Sequence, residues 1–68
     1  MAGTNFSKYM LDLGKTGEEV DCFAWDNEGV MTYEVEVNFG RSVYTGTGRI
    51  LYDAVKMVWD KAKNAGML

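Results

Sequence analysis

From Met31 to Phe39 the chain alternates without a slip. Met31, Tyr33, Val35, Val37 and Phe39 are apolar, and Thr32, Glu34, Glu36 and Asn38 between them are polar. Successive side chains of an extended backbone point to opposite faces, so this segment reads as a strand with one dry side and one wet side. Gly40 breaks the run, and Arg41 to Thr45 resumes it with Val43 and Tyr44. So short a connection makes the two strands an antiparallel hairpin. Upstream, Val20 to Asp26 is partly aromatic and partly β-branched, and Asp26-Asn27-Glu28-Gly29 reads as the turn that follows it. Gly46-Thr47-Gly48 is expected to stop the sheet and turn the chain toward a helix.

Two helices flank these strands. Phe6, Tyr9, Met10 and Leu13 fall at i, i+3, i+4 and i+7, with Thr4 or Asn5 as the N-cap and Gly14 as the stop. Leu51, Ala54, Val55, Val58 and Ala62 form a second stripe, widened by Tyr52 and Trp59. Asp53, Lys56, Asp60 and Lys63 alternate in sign on its other side, and Lys61 and Lys63 fall in a last turn that favours cations. A chain of 68 residues buries only about 60% of its unfolded surface and supports a single core. The expectation is one α+β domain over residues 1–68, ordered helix-strand-strand-strand-helix. Its two helices cover one face of a three-stranded antiparallel sheet and leave the other wet. Met31, Tyr33, Val35 and Val37 then point inward with the two helical stripes.

Composition removes most chemistry. There is no histidine, and Cys22 is the only cysteine. Imidazole-based catalysis and an intrachain disulfide are therefore impossible, and a lone cysteine fits a reducing compartment. Cys22, on a strand beside Phe23, reads as a small buried filler, not a nucleophile. A carboxylate acting as a general acid needs an apolar pocket, which strands this short do not offer. Asp26, Glu28 and Gly29 do not have the ligand spacing of a calcium loop. Gly46-Thr47-Gly48 lacks the third glycine and the lysine of phosphate cradles. No enzyme, cofactor or metal is expected. The first ten residues lack the apolar run of a signal peptide, and no stretch nears the roughly 20 apolar residues of a membrane helix. A cytoplasmic protein is expected, in the host cytoplasm if its source is viral.

The last third of the chain carries a family pattern. Gly46-Thr47-Gly48-Arg49-Ile50-Leu51-Tyr52-Asp53-Ala54-Val55 leads into the second helix. Gly46, Gly48 and Ala54 coincide with Gly-x-Gly-x-Ser-Lys-Lys-x-Ala-Lys, the closing motif of double-stranded-RNA-binding domains. The chain resembles that family in element order over nearly its whole length. The resemblance implies the fold described above. It does not carry over the RNA contacts, because the phosphate-clamping lysines are Leu51, Tyr52 and Val55 here. The family's Gly-Pro-x-His groove reader is likewise replaced by Asp26-Asn27-Glu28-Gly29. Such domains depend on phosphate and 2′-OH contacts. A divergent RNA-binding domain would have to use Arg41, Arg49, Lys56 and Lys61 instead.

Charge is divided along the chain. Overall, seven Lys and Arg oppose ten Asp and Glu for a net charge of −3. Glu18 to Glu36 holds seven acidic residues and no basic one, whereas Arg41 to Lys63 holds five basic and two acidic. An acidic stretch of this kind suits a basic protein surface and repels nucleic acid. On the first strand Asp21, Phe23 and Trp25 share one parity, and burying an unpaired Asp21 would cost several kcal/mol. Either Asp21 lies at the sheet margin or Phe23 and Trp25 point away from the helices; the second is the expectation, and Tyr44 joins them if Val43 points inward. The expected partner-binding face is Asp21, Phe23, Trp25, Glu34, Glu36 and Tyr44, aromatic anchors within a charged rim. The function class this suggests is a small acidic protein-binding module, of the phage-inhibitor type, acting on a nucleic-acid-handling protein. Homodimer formation is a further expectation, through a sheet edge or a helix because Glu34 and Glu36 would repel across stacked faces.

Overall fold

The alternating segment is the central strand of the sheet. The computed structural model describes residues 2–68, with side chains from Asn5 onward. Helix α1 (Ala2–Thr16) leads into a meander of β1 (Glu19–Asn27), β2 (Val30–Asn38) and β3 (Val43–Gly48), and helix α2 (Leu51–Asn64) follows. Both strand pairs are antiparallel, in the order β1-β2-β3. Val35 and Val37 on β2 are fully buried together with Leu13 of α1 and Ala54, Val55, Val58 and Ala62 of α2. The expected α+β architecture, with both helices on the dry face of a three-stranded sheet, is therefore present. Among the described residues no helix is long and apolar enough to cross a membrane.

The β1–β2 turn is tighter than four residues. Asn27 pairs with Val30, so Glu28 and Gly29 alone make the loop, and both have positive φ, 54° and 83°. This is the mirror-image turn that matches strand twist. Glu28 bears a left-handed conformation that costs a side-chain-bearing residue about 1–2 kcal/mol.

The glycines before α2 act differently from the expectation. Gly46 and Gly48 do not stop the sheet; they lie inside β3, opposite Val35 and Tyr33, and neither has positive φ. They are there because α2 crosses directly over them. A Cβ on Gly46 would lie 2.7 Å from the Val58 nitrogen and 3.0 Å from the Met57 Cβ, and one on Gly48 would lie 2.6 Å from the Asp53 Cβ. Backbone thus meets backbone with no side chain between, which is the second use of glycine in a strand.

Helix α1 begins upstream of Thr4 and Asn5 and passes through Gly14, so neither expected boundary holds. A glycine inside a helix costs about 1 kcal/mol relative to alanine, less than Leu13 gains by full burial. The helix ends where the Thr16 hydroxyl donates to the Asp12 carbonyl at 3.0 Å and the Gly17 amide donates to Leu13 at 2.8 Å. An aromatic set fastens α1 to α2: Tyr9 stacks on Trp59 at 4.7 Å and on Tyr52 at 6.0 Å between ring centroids. The Trp59 Nε1 donates to Asp12 Oδ2 at 3.0 Å, and the Lys63 ammonium lies 4.9 Å from the centre of the Trp59 ring. At its far end α2 closes with paired turns, Gly66 donating to Lys63 and Met67 to Ala62.

Two core expectations are corrected. Met31 shares the inward parity but is 49% exposed, because it pairs with Asp26 at the hairpin end, where neither helix reaches. Cys22 is exposed as well. It stands opposite Val35, yet the helices cover β2 and β3 and reach only the start of β1, at Val20.

Candidate protein-binding face

Directly opposite residues in an antiparallel pair share a face, so the register assigns every side chain of the sheet. Asp21 pairs with Glu36, Phe23 with Glu34 and Trp25 with Thr32. Across β2, Glu36 pairs with Thr45 and Glu34 with Thr47. All of these lie opposite to buried Val35 and Val37, on the face without helices. Phe23 is 48% exposed and Trp25 41%. The expectation that Asp21, Phe23, Trp25, Glu34 and Glu36 come together on the open face therefore agrees with the register.

Tyr44 does not join them. It pairs with Val37 on the helix side, half-buried, with its ring 5.7 Å from Phe39 in an edge-on contact. Val43 is the outward residue, 54% exposed. The physical reason is the glycine cradle: Tyr44 has the parity of Gly46 and Gly48, which must lie under α2. Read as close-approach positions, those glycines would have turned Tyr44 inward from sequence alone. The same register adds Glu19, because β1 begins one residue before Val20, and Thr45 and Thr47, which share the outward parity of Val43 on β3.

The electrostatics of this face are one-sided. Glu19, Asp21, Glu34 and Glu36 lie on it, and none of its strand positions carries Lys or Arg. Asp21 and Glu36 stand directly across from each other, and like charges so placed are destabilising. A half-buried carboxylate pair beside two exposed aromatic rings is a face that a cation would relieve.

The four cations of the RNA alternative are arranged otherwise. Arg41 precedes β3 and Arg49 follows it, while Lys56 and Lys61 border a shallow hollow on α2 together with Asp53 and Asp60. Lys61 is also engaged, donating to the Thr45 carbonyl at 2.8 Å. These positions follow the β3 margin with carboxylates among them, and the strand separates the two arginines. Among the described residues no three His, Cys, Asp or Glu side chains converge as metal ligands would.

Comparisons with protein-family models, with curated proteins and with solved structures found no match.

Proposed function

We propose that this chain is a small acidic protein-binding module that docks through Asp21, Phe23, Trp25, Glu34 and Glu36. The observation behind this reading is the Asp21–Glu36 pair flanked by exposed Phe23 and Trp25, on a face whose strands supply no cation. The complementary surface is basic, and the nucleic-acid groove of a nucleic-acid-handling protein has that character. Occupying such a groove would make the module an inhibitor of the phage type. The aromatic rings provide the holding contacts and the carboxylates steer the approach.

The test uses a partner captured from a host lysate with the wild-type chain. Trp25→Ala is expected to weaken that complex by about 2 kcal/mol while the circular dichroism stays native. Glu34→Lys with Glu36→Lys is expected to slow association and flatten its salt dependence. Undiminished binding by both variants would remove this face from the reading.

The second reading, a divergent double-stranded-RNA-binding domain, rests on Gly46, Gly48 and Ala54, which all lie at the β3–α2 crossing. That supports a likeness in packing and supplies no phosphate contact. Micromolar binding of duplex RNA that falls steeply with salt would favour it over the protein partner.

A further inference from the structure

The sheet has two margins, and side chains plug only one of them. Because Glu28 and Gly29 form a two-residue turn, Asn27 and Val30 are a hydrogen-bonded pair. Counting back along β1, Glu19, Asp21, Phe23 and Trp25 direct their backbone groups to β2. Val20, Cys22, Ala24 and Asp26 direct theirs outward. The same count across β2 turns Val43, Thr45 and Thr47 outward on β3. On that margin α2 supplies plugs: the Lys61 ammonium donates to the Thr45 carbonyl, and the Thr47 amide donates to the Met57 sulfur at 3.5 Å. On β1 no side chain among the described residues caps the outward groups. The strand runs nine residues with no proline, lysine or glycine to protect it.

We propose that β1 pairs antiparallel with β1 of a second copy, about a two-fold axis at Phe23, giving a continuous six-stranded sheet. This register pairs all nine residues. Val20 meets Asp26 of the second copy and Cys22 meets Ala24, and the outward groups form roughly eight backbone hydrogen bonds. Charge selects a second copy in this register, because no carboxylate of β1 faces another. Asp21 lies opposite Trp25, Glu19 opposite Asn27, and Asp26 opposite Val20. Shape agrees. The helix side of β1 is covered at Val20 and exposed at Cys22, Ala24 and Asp26, so the two-fold sets the covered end of one strand against the open end of the other. The exposed Phe23 rings of the two copies become neighbours.

Sedimentation of the intact chain tests this. A species of twice the 7.6 kDa chain mass is expected at high micromolar concentration. Its formation should strengthen with added salt, because each copy carries −3. Docking on a basic partner weakens with salt, so the dimer and the proposed function can fail separately. Ala24→Pro removes one outward amide and no β1–β2 bond, and is expected to give a folded monomer. Should that variant not fold, Ala24→Cys decides. Its new thiol would lie directly opposite Cys22 of the second copy, within disulfide reach, while the two native Cys22 residues are a diagonal step apart. Mild oxidation is then expected to link Ala24→Cys chains at least tenfold faster than the parent. A monomer at every concentration and salt, or equal crosslinking of the parent, would overturn the pairing.

Discussion

The β3 side and the β1 side of this sheet are finished by opposite means. On β3, α2 lies so close that Gly46 and Gly48 admit no side chain, and Lys61 and Met57 plug the Thr45 carbonyl and the Thr47 amide of the backbone margin. On the β1 side, the helix layer reaches Val20 and then leaves Cys22, Ala24 and Asp26 of β1, and Met31 of β2 beside them, to solvent. One sheet therefore carries a structural half and an available half. The difference comes from a single helix placement. Because α2 runs over β3 and β2, everything that needs an open strand must be found on β1.

The contrast can be broken most sharply at Gly46. Gly46→Val would drive a branched side chain into the α2 backbone, and a loss of about 3 kcal/mol is expected in urea unfolding. A native midpoint would mean that α2 can lift, and that the closed half is not closed. The available half should respond in the other direction. Glu28→Asn keeps the turn and relieves the left-handed glutamate, and a gain of about 0.5–1 kcal/mol is expected by the same measurement. An unchanged or lower midpoint would show that the turn is held by something other than its backbone preference.

The smallest effect lies in the helix layer. Partial burial, then the neighbouring Tyr52 hydroxyl and the Asp60 carboxylate, hold the Tyr9 phenol above its ordinary pKa. A raised value favours the protonated form in the folded chain. That contribution is complete below the unfolded pKa and is lost as pH climbs through the folded one. Thermal melts of the wild type and Tyr9→Phe should therefore converge at strongly alkaline pH. Curves that stay parallel would assign no stabilising proton to Tyr9.

Strict periodicity made the fold legible. Nine alternating residues named β2, and the stripe from Leu51 to Ala62 named α2; the antiparallel order followed from short connections. What sequence concealed was depth. Parity says which face a residue takes but not whether anything covers that face, so Met31 and Cys22 have core parity while the core ends before reaching them. Tyr44 failed for another reason. Val43 alone does not fix the parity of its strand, and the glycines that do fix it resemble a break in the sequence. The open-face carboxylates and Phe23 with Trp25 were recoverable because burying Asp21 is costly, an argument that needs no knowledge of the helices.

The meander also has a temporal consequence. Each strand neighbours the next in sequence, and β3 runs directly into the helix that covers it, so nearly every long contact closes a short loop. The contacts of α1 with α2 are the exception, among them the Asp12–Trp59 hydrogen bond, which joins residues 47 positions apart. Local closures cost less chain entropy and proceed faster. Residues 19–64 should then assemble first and α1 dock last, with Trp59 fluorescence reporting the final step. Amide exchange would register the same order as a lower opening free energy for α1 than for β2. Equal protection of the two would make docking and sheet formation a single event.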